Sequence, residues 1–268
     1  MSNIGITIFG ILFIFICTTF GSSLVFFLKG RELSKKINQM IAGFAAGIML
    51  AASFFSLIMP ALEEDVDYMP SFIIVAISIF LGVLFLYIID KLIPVLFNKK
   101  NNNNGELKNG VSKKTKMFLA VTIHNIPEGL AVGIAYGVAL AALNNQLPDA
   151  NNLLIGALSI AIGVGIQNIP EGTVVSLPML AETKSAGKSF GYGVLSGIVE
   201  PIAATIGLFL AMYVEVIMPW ALAFSAGCMI YVVFEEMVKE AQDDYSNHYG
   251  VFSFIVGFLL MLILDTSL

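Results

Sequence analysis

His124, Asn125 and Glu128 fall within the hexapeptide His-Asn-Ile-Pro-Glu-Gly, and the pattern returns as Gln167-Asn168-Ile169-Pro170-Glu171-Gly172. On an α-helix, positions i and i+3 or i+4 share a face, so each hexapeptide can aim its polar side chains at one point as a half-site. An imidazole with carboxylate and amide oxygens suits borderline first-row divalent ions such as Zn²⁺, Fe²⁺, Mn²⁺ or Co²⁺, and the lack of thiolate argues against Cu(I). Pro127 and Pro170 have no N–H, which frees the carbonyls of Ile123 and Ile166. A loosened helix beside the ligands is expected, with a cation as one partner for the freed oxygens.

Both hexapeptides lie inside long apolar runs. The chain is 57% hydrophobic and 12% charged, with a mean hydropathy of +0.88, which excludes a soluble core and indicates an integral, multi-pass membrane protein. Apolar stretches run at roughly residues 5 to 28, 37 to 62, 72 to 97, 117 to 143, 153 to 180, 190 to 213, 219 to 234 and 250 to 266, most long enough to cross a ~30 Å hydrocarbon layer. The fold expected is all-α, a single transmembrane domain over residues 1–268 with eight spanning helices. The first run has no basic residue before it and is too long for a signal-peptide core, so it reads as a retained span. The seventh is short, and is expected to continue through Glu235 and Glu236 into the headgroups.

All 14 lysines and arginines fall at the connections after helices one, three, five and seven, so those connections are expected in the cytoplasm and both termini outside. The opposite face carries acids such as Glu63, Glu64, Asp65, Asp67, Asp149, Glu215 and Asp265. The basic residues are thus explained by topology, and no nucleic-acid partner is implied. Residues 98–116, with four consecutive asparagines and few apolar residues, read as a mobile cytoplasmic loop. Cys17 and Cys228 sit within apolar helices as small packing residues.

Depth decides whether the half-sites meet. Glu128 lies 12 residues beyond Lys116 and Glu171 lies 13 before Lys184, which puts both about 18 to 20 Å from the cytoplasmic charges. Glu200, followed by Pro201, is 12 residues from Lys188 and reaches the same depth. A charged residue at a helix centre costs about 2.5 to 3.5 kcal/mol, and a bound cation is the simplest offset for three carboxylates. Weaker candidates surround this centre: the outer acids, the inner Glu235, Glu236, Glu240, Asp243 and Asp244, and the methionines Met49 and Met59, which also suit core packing. Gly43 and Gly47 are spaced for close helix contact.

At these residues the chain resembles the ZIP (Zrt/Irt-like) family of divalent metal transporters, which carries HNxPEG-type and [HQ]xxPEG-type motifs on its fourth and fifth helices. The stretch Ala42 to Leu62 is similar to the bacterial GufA-like branch. The resemblance implies a two-metal site, with His124, Glu128, Gln167, Glu171 and Met49 for one ion and Asn125, Glu128, Asn168, Glu171 and Glu200 for a second. It also implies a variable third loop, a homodimer, placement in a bacterial cytoplasmic membrane, and movement of helices one, four, five and six against the other four. Two positions depart from the family pattern: Gln167 stands where many eukaryotic members have a second histidine, and Asn168 where some relatives have a carboxylate. Fewer charges weaken the second position.

Metal transport, most simply zinc uptake, is therefore the function expected, with the ion as cargo and no resident cofactor. No nucleotide-binding Gly-rich loop is present, so direct ATP drive is unsupported. An intramembrane metallohydrolase needs an open metal position and a positioned base, as in H-E-x-x-H, yet His124 is followed by Asn125. A proton-coupled solute carrier using buried glutamates has no need of His124 and amides at ligand spacing. The topology is checked by cysteine substitution: Ser2→Cys is expected to react with an impermeant reagent from outside intact cells, and Ser112→Cys only after permeabilisation. Labelling of Ser112→Cys from outside would overturn the eight-helix arrangement.

Overall fold

The computed structural model describes residues 2–27, 34–64, 66–97, 113–211, 217–242 and 247–267. Each apolar run is helical: α1 (Asn3–Phe26), α2 (Lys35–Glu63), α3 (Ser71–Phe97), α4 (Lys113–Asn144), α5 (Ala150–Thr183), α6 (Ala186–Ala211), α7 (Met218–Ala241) and α8 (Tyr249–Ser267). All eight are long and apolar enough to span a membrane. There is no strand among the described residues.

Local chemistry fixes the ends. The hydroxyls of Ser2, Ser34 and Ser185 accept the backbone N–H of Gly5, Ile37 and Lys188, capping α1, α2 and α6. Lys184 takes a left-handed conformation (φ 52°) that stops α5, and Ser185 starts α6 at once. Helix α7 runs through Glu235 and Glu236 as expected, by way of a π turn at Val233–Met237. Helix α4 begins at Lys113, so the last residues of the expected loop are helical; 98–112 lie outside the described residues.

Pro127, Pro170 and Pro178 sit inside α4 and α5 without interrupting either helix. The interruption falls in α6, at Ile198, where Pro201 withholds the N–H that the carbonyl of Gly197 would accept. Glu200 is thereby placed in the first turn of a fresh helical segment.

Four pairs of helices run parallel with backbones in close approach. A Cβ at Gly129, Gly133 or Gly137 of α4 would strike the carbonyl of Glu200, Ala204 or Leu208 of α6. Gly43 and Gly47 of α2 meet Gly250 and Phe254 of α8 in the same way, Gly21 of α1 meets Ile169 of α5, and Gly82 of α3 meets Phe224 of α7. Small residues at such crossings let main chains touch, which matters in a medium where apolar side chains gain nothing from meeting each other.

These approaches sort the helices into two sets. Among the described residues, every glycine whose Cβ would strike another helix's backbone joins helices within α1, α4, α5 and α6 or within α2, α3, α7 and α8. The sets meet mainly where α4 faces α7 and α2 faces α5. There the packing is through side chains, as at Gly163 of α5 against the Ser56 hydroxyl of α2. Helix α2 buries 72% of its spanning window and α4 67%, against 17% for α8, so the seam lies at the centre and α8 at the rim.

Gly133→Leu is expected to cost about 1–3 kcal/mol or more, since its side chain would overlap the Ala204 carbonyl. A lowered unfolding midpoint in detergent checks this, with Gly187→Leu, which meets nothing within 4 Å, as the control.

Candidate metal centre

The six polar residues of the two hexapeptides are all fully buried. Helices α4 and α5 pack directly, and the register brings Gln167 to Glu128: Nε2 of Gln167 donates to Oε1 of Glu128 at 2.5 Å. Nε2 of His124 lies 3.0 Å from the same Oε1, one turn away, but is misaligned for a hydrogen bond, so both ring nitrogens have no partner. One ligand atom from each of His124, Glu128 and Glu171 lies within 4.8 Å of the others. No other three-residue group of His, Cys, Asp and Glu among the described residues meets that spacing.

Within the two hexapeptides the atoms left without partners are mostly of one kind. His124 Nδ1 and Nε2, Asn125 Oδ1, Glu128 Oε2, Gln167 Oε1, Asn168 Oδ1 and both Glu171 oxygens make no hydrogen bond. All but the imidazole, which carries one proton when neutral, are acceptor-only atoms. The buried side chains include three glutamates and no lysine or arginine among the described residues. A buried polar atom without a partner is costly, and what this array lacks is positive charge.

Glu200 reaches the depth expected of it and is engaged differently from its neighbours. Its Oε1 accepts the Thr18 hydroxyl at 2.7 Å and the Asn125 amide at 2.9 Å, while Oε2 accepts the Asn168 amide at 2.8 Å. Thr18, Asn125, Asn168 and Glu200 stand on α1, α4, α5 and α6, so one carboxyl ties together all four helices of its set. Asn125 Nδ2 also donates to the Ser196 carbonyl at 3.1 Å, and Asn168 Nδ2 reaches the Ile14 carbonyl at 3.5 Å. With their N–H groups spent on Glu200 and backbone, both amides have only Oδ1 left to offer.

Thr18 and Met229 escaped the reading by motif. Thr18 had a faint signal, a Thr-Thr pair inside an apolar run, whereas Met229 had none. Both are fully buried, and Sδ of Met229 lies 3.8 Å from Gln167 Nε2. Met49 is fully buried on α2, whereas Met59 is 47% exposed and contributes to neither core nor site. At the C-terminal end of α2, burial and the Glu63 carboxylate push the Glu64 carboxyl above its ordinary range. Asp65, Asp243 and Asp244 lie outside the described residues, and near the C-terminal end of α7 Lys239 pairs with Glu235. Cys17 and Cys228 are buried and unpaired as thiols, as expected.

The fold and centre together define a polytopic helical membrane protein with a buried cluster of acidic and imidazole groups between its helices. Comparison with known proteins agrees. The chain belongs to the ZIP zinc transporter family, whose model matches residues 4–117 and 116–265. It is 31% identical to Zinc transporter ZIP11 of Homo sapiens over 345 residues, an alignment covering 100% of this chain and 98% of that protein. Zinc transporter GufA of Myxococcus xanthus is 33% identical over 248 residues, 90% of this chain and 91% of that protein. Zinc transporter ZupT of Streptococcus mutans is 32% identical over 258 residues, covering 92% and 91%.

Removing the Glu200 carboxyl would leave buried amide N–H groups on Asn125 and Asn168 without acceptors, at about 1–3 kcal/mol each. Glu200→Ala is therefore expected to lower the unfolding midpoint markedly, and Glu200→Gln, which keeps one acceptor oxygen, to lower it less. Fluorescence-detected size-exclusion after graded heating measures both.

Proposed function

We propose that the chain carries divalent transition-metal ions, zinc foremost, into the cytoplasm across a bacterial cytoplasmic membrane, through the buried centre on α4, α5 and α6. One observation carries this reading: acceptor atoms of Asn125, Glu128, Gln167, Asn168 and Glu171 have no donor, in an interior with three glutamates and no buried lysine or arginine among the described residues. Divalent cargo supplies what the array lacks. The relatives named as zinc transporters favour zinc within the class that an imidazole and oxygens select.

His124, Glu128, Gln167 and Glu171 hold the ion, with Met49 at its border. The second position is optional, because Glu200 already accepts from three donors and leaves only the Asn125 and Asn168 oxygens beside the shared glutamates. Release to alternate sides follows if the α1, α4, α5 and α6 set moves against the other four helices. The side-chain seam favours movement there, since backbone contacts between glycines and carbonyls lock each set internally. The termini face outward.

Zinc uptake into proteoliposomes tests the reading. Glu128→Ala and Glu171→Ala are expected to abolish saturable uptake while the protein remains in the membrane, and His124→Ala to be nearly as severe. Unchanged uptake in any of them would make the hexapeptides structural. Asn168→Asp adds charge at the optional position and is expected to raise affinity while lowering maximal flux, because a tighter site releases its ion more slowly. Equal affinity and equal flux would show that residue 168 never meets the cargo.

A further inference from the structure

The ligating atoms on α4 and α5 are all nitrogen or oxygen, and sulfur approaches them from the opposite helix set. Met229 of α7 is fully buried, with its thioether 3.8 Å from Gln167 Nε2 across the seam. Gln167 also donates to Glu128, and its Oε1 has no partner, so the Met229 sulfur and the Glu128 carboxylate meet at one amide group whose oxygen is unused. The neighbouring thiol is turned away: Cys228 donates to the Gly82 carbonyl of α3 at 3.5 Å. Ser225, one turn from Met229 on the same face of α7, is fully buried, and its hydroxyl has no partner. A π turn begins at Val233, one turn further along, the kind of local widening that occurs often at functional sites. Helix α7 thus presents a thioether and an unused hydroxyl on one face and keeps its thiol for packing.

We propose that Met229 is a further ligand of the transported ion, a thioether lent by the α2, α3, α7 and α8 set, and that it sets the preference for soft over hard divalent cations. The inference rests on the intramembrane metal centre proposed above. Carboxylate and amide oxygens alone serve Mn²⁺ or Mg²⁺ as readily as softer ions, whereas a thioether contributes to zinc and softer metals. Because the sulfur stands on the opposite set, it can reach the ion only while α7 lies against α4. Selectivity is then exercised in that packed arrangement and withdrawn when the sets part.

The test is a competition measurement on the purified protein with Cd²⁺ and Mn²⁺ against a fluorescent chelator. Met229→Leu nearly keeps the volume and removes the sulfur, and the Cd²⁺:Mn²⁺ affinity ratio is expected to fall about tenfold or more. X-ray absorption on cadmium-loaded Met49→Leu protein, which retains Met229, is expected to show cadmium–sulfur scattering that disappears in the Met49→Leu/Met229→Leu double variant. This second measurement decides the matter if Met229→Leu alone does not fold. An unchanged ratio, an equal loss for both ions, or no cadmium–sulfur scattering in Met49→Leu overturns the role of Met229. Wild-type protein that binds neither ion overturns the metal centre and this inference with it, whereas wild-type binding of both ions with an unchanged ratio in Met229→Leu overturns the inference alone.

Discussion

Three carboxyl groups are buried at one level of a helical bundle, with no lysine or arginine buried beside them among the described residues. In hydrocarbon, an uncompensated charge or an unpartnered acceptor is among the costliest features a chain can carry, and neighbouring structure must answer for it. Glu200 is answered internally, by a hydroxyl and two amides drawn from three other helices. Glu171 has no such answer, and Glu128 has one for a single oxygen. The architecture therefore separates one carboxyl that ties four helices together from two whose oxygens are largely without donors.

The glycine contacts follow the same division. Backbone-to-backbone approaches make each four-helix set a unit, and the seam between the sets carries side chains such as Ser56 and Met229. Interlocked main chains resist sliding, because every displacement of a residue meets a carbonyl; a seam of rotatable side chains repacks more easily. The proposed metal centre borders that seam, with the buried imidazole, carboxylates and amides on one side and the Met229 sulfur on the other.

Much of this was legible in the sequence for identifiable reasons. The eight spans follow from hydrocarbon thickness and helical rise, which leave little freedom for long apolar runs, and the common depth of Glu128, Glu171 and Glu200 follows from counting residues from the basic ends. Motif repetition marked the six polar residues because amides and carboxylates are rare inside such runs. What stayed hidden depended on contacts between helices. Thr18 and Met229 belong to the centre through helix neighbourhood, and no spacing within α1 or α7 announces it. The position of the break in α6 was also out of reach: Pro201 coincides with an interruption at Ile198, while α4 and α5 continue past Pro127 and Pro170.

Asn125 and Asn168 each use one end of the amide on Glu200 and leave the other end bare. The two ends are electronically linked, since drawing electron density toward the oxygen makes the N–H groups more acidic and better donors. A cation near the oxygens therefore strengthens the very bonds that fasten α4 and α5 to α6. On the proposed reading a loaded bundle would be stiffer than an empty one, and departure of the ion would loosen the body that carried it. Cargo bound there would act as a temporary part of the scaffold.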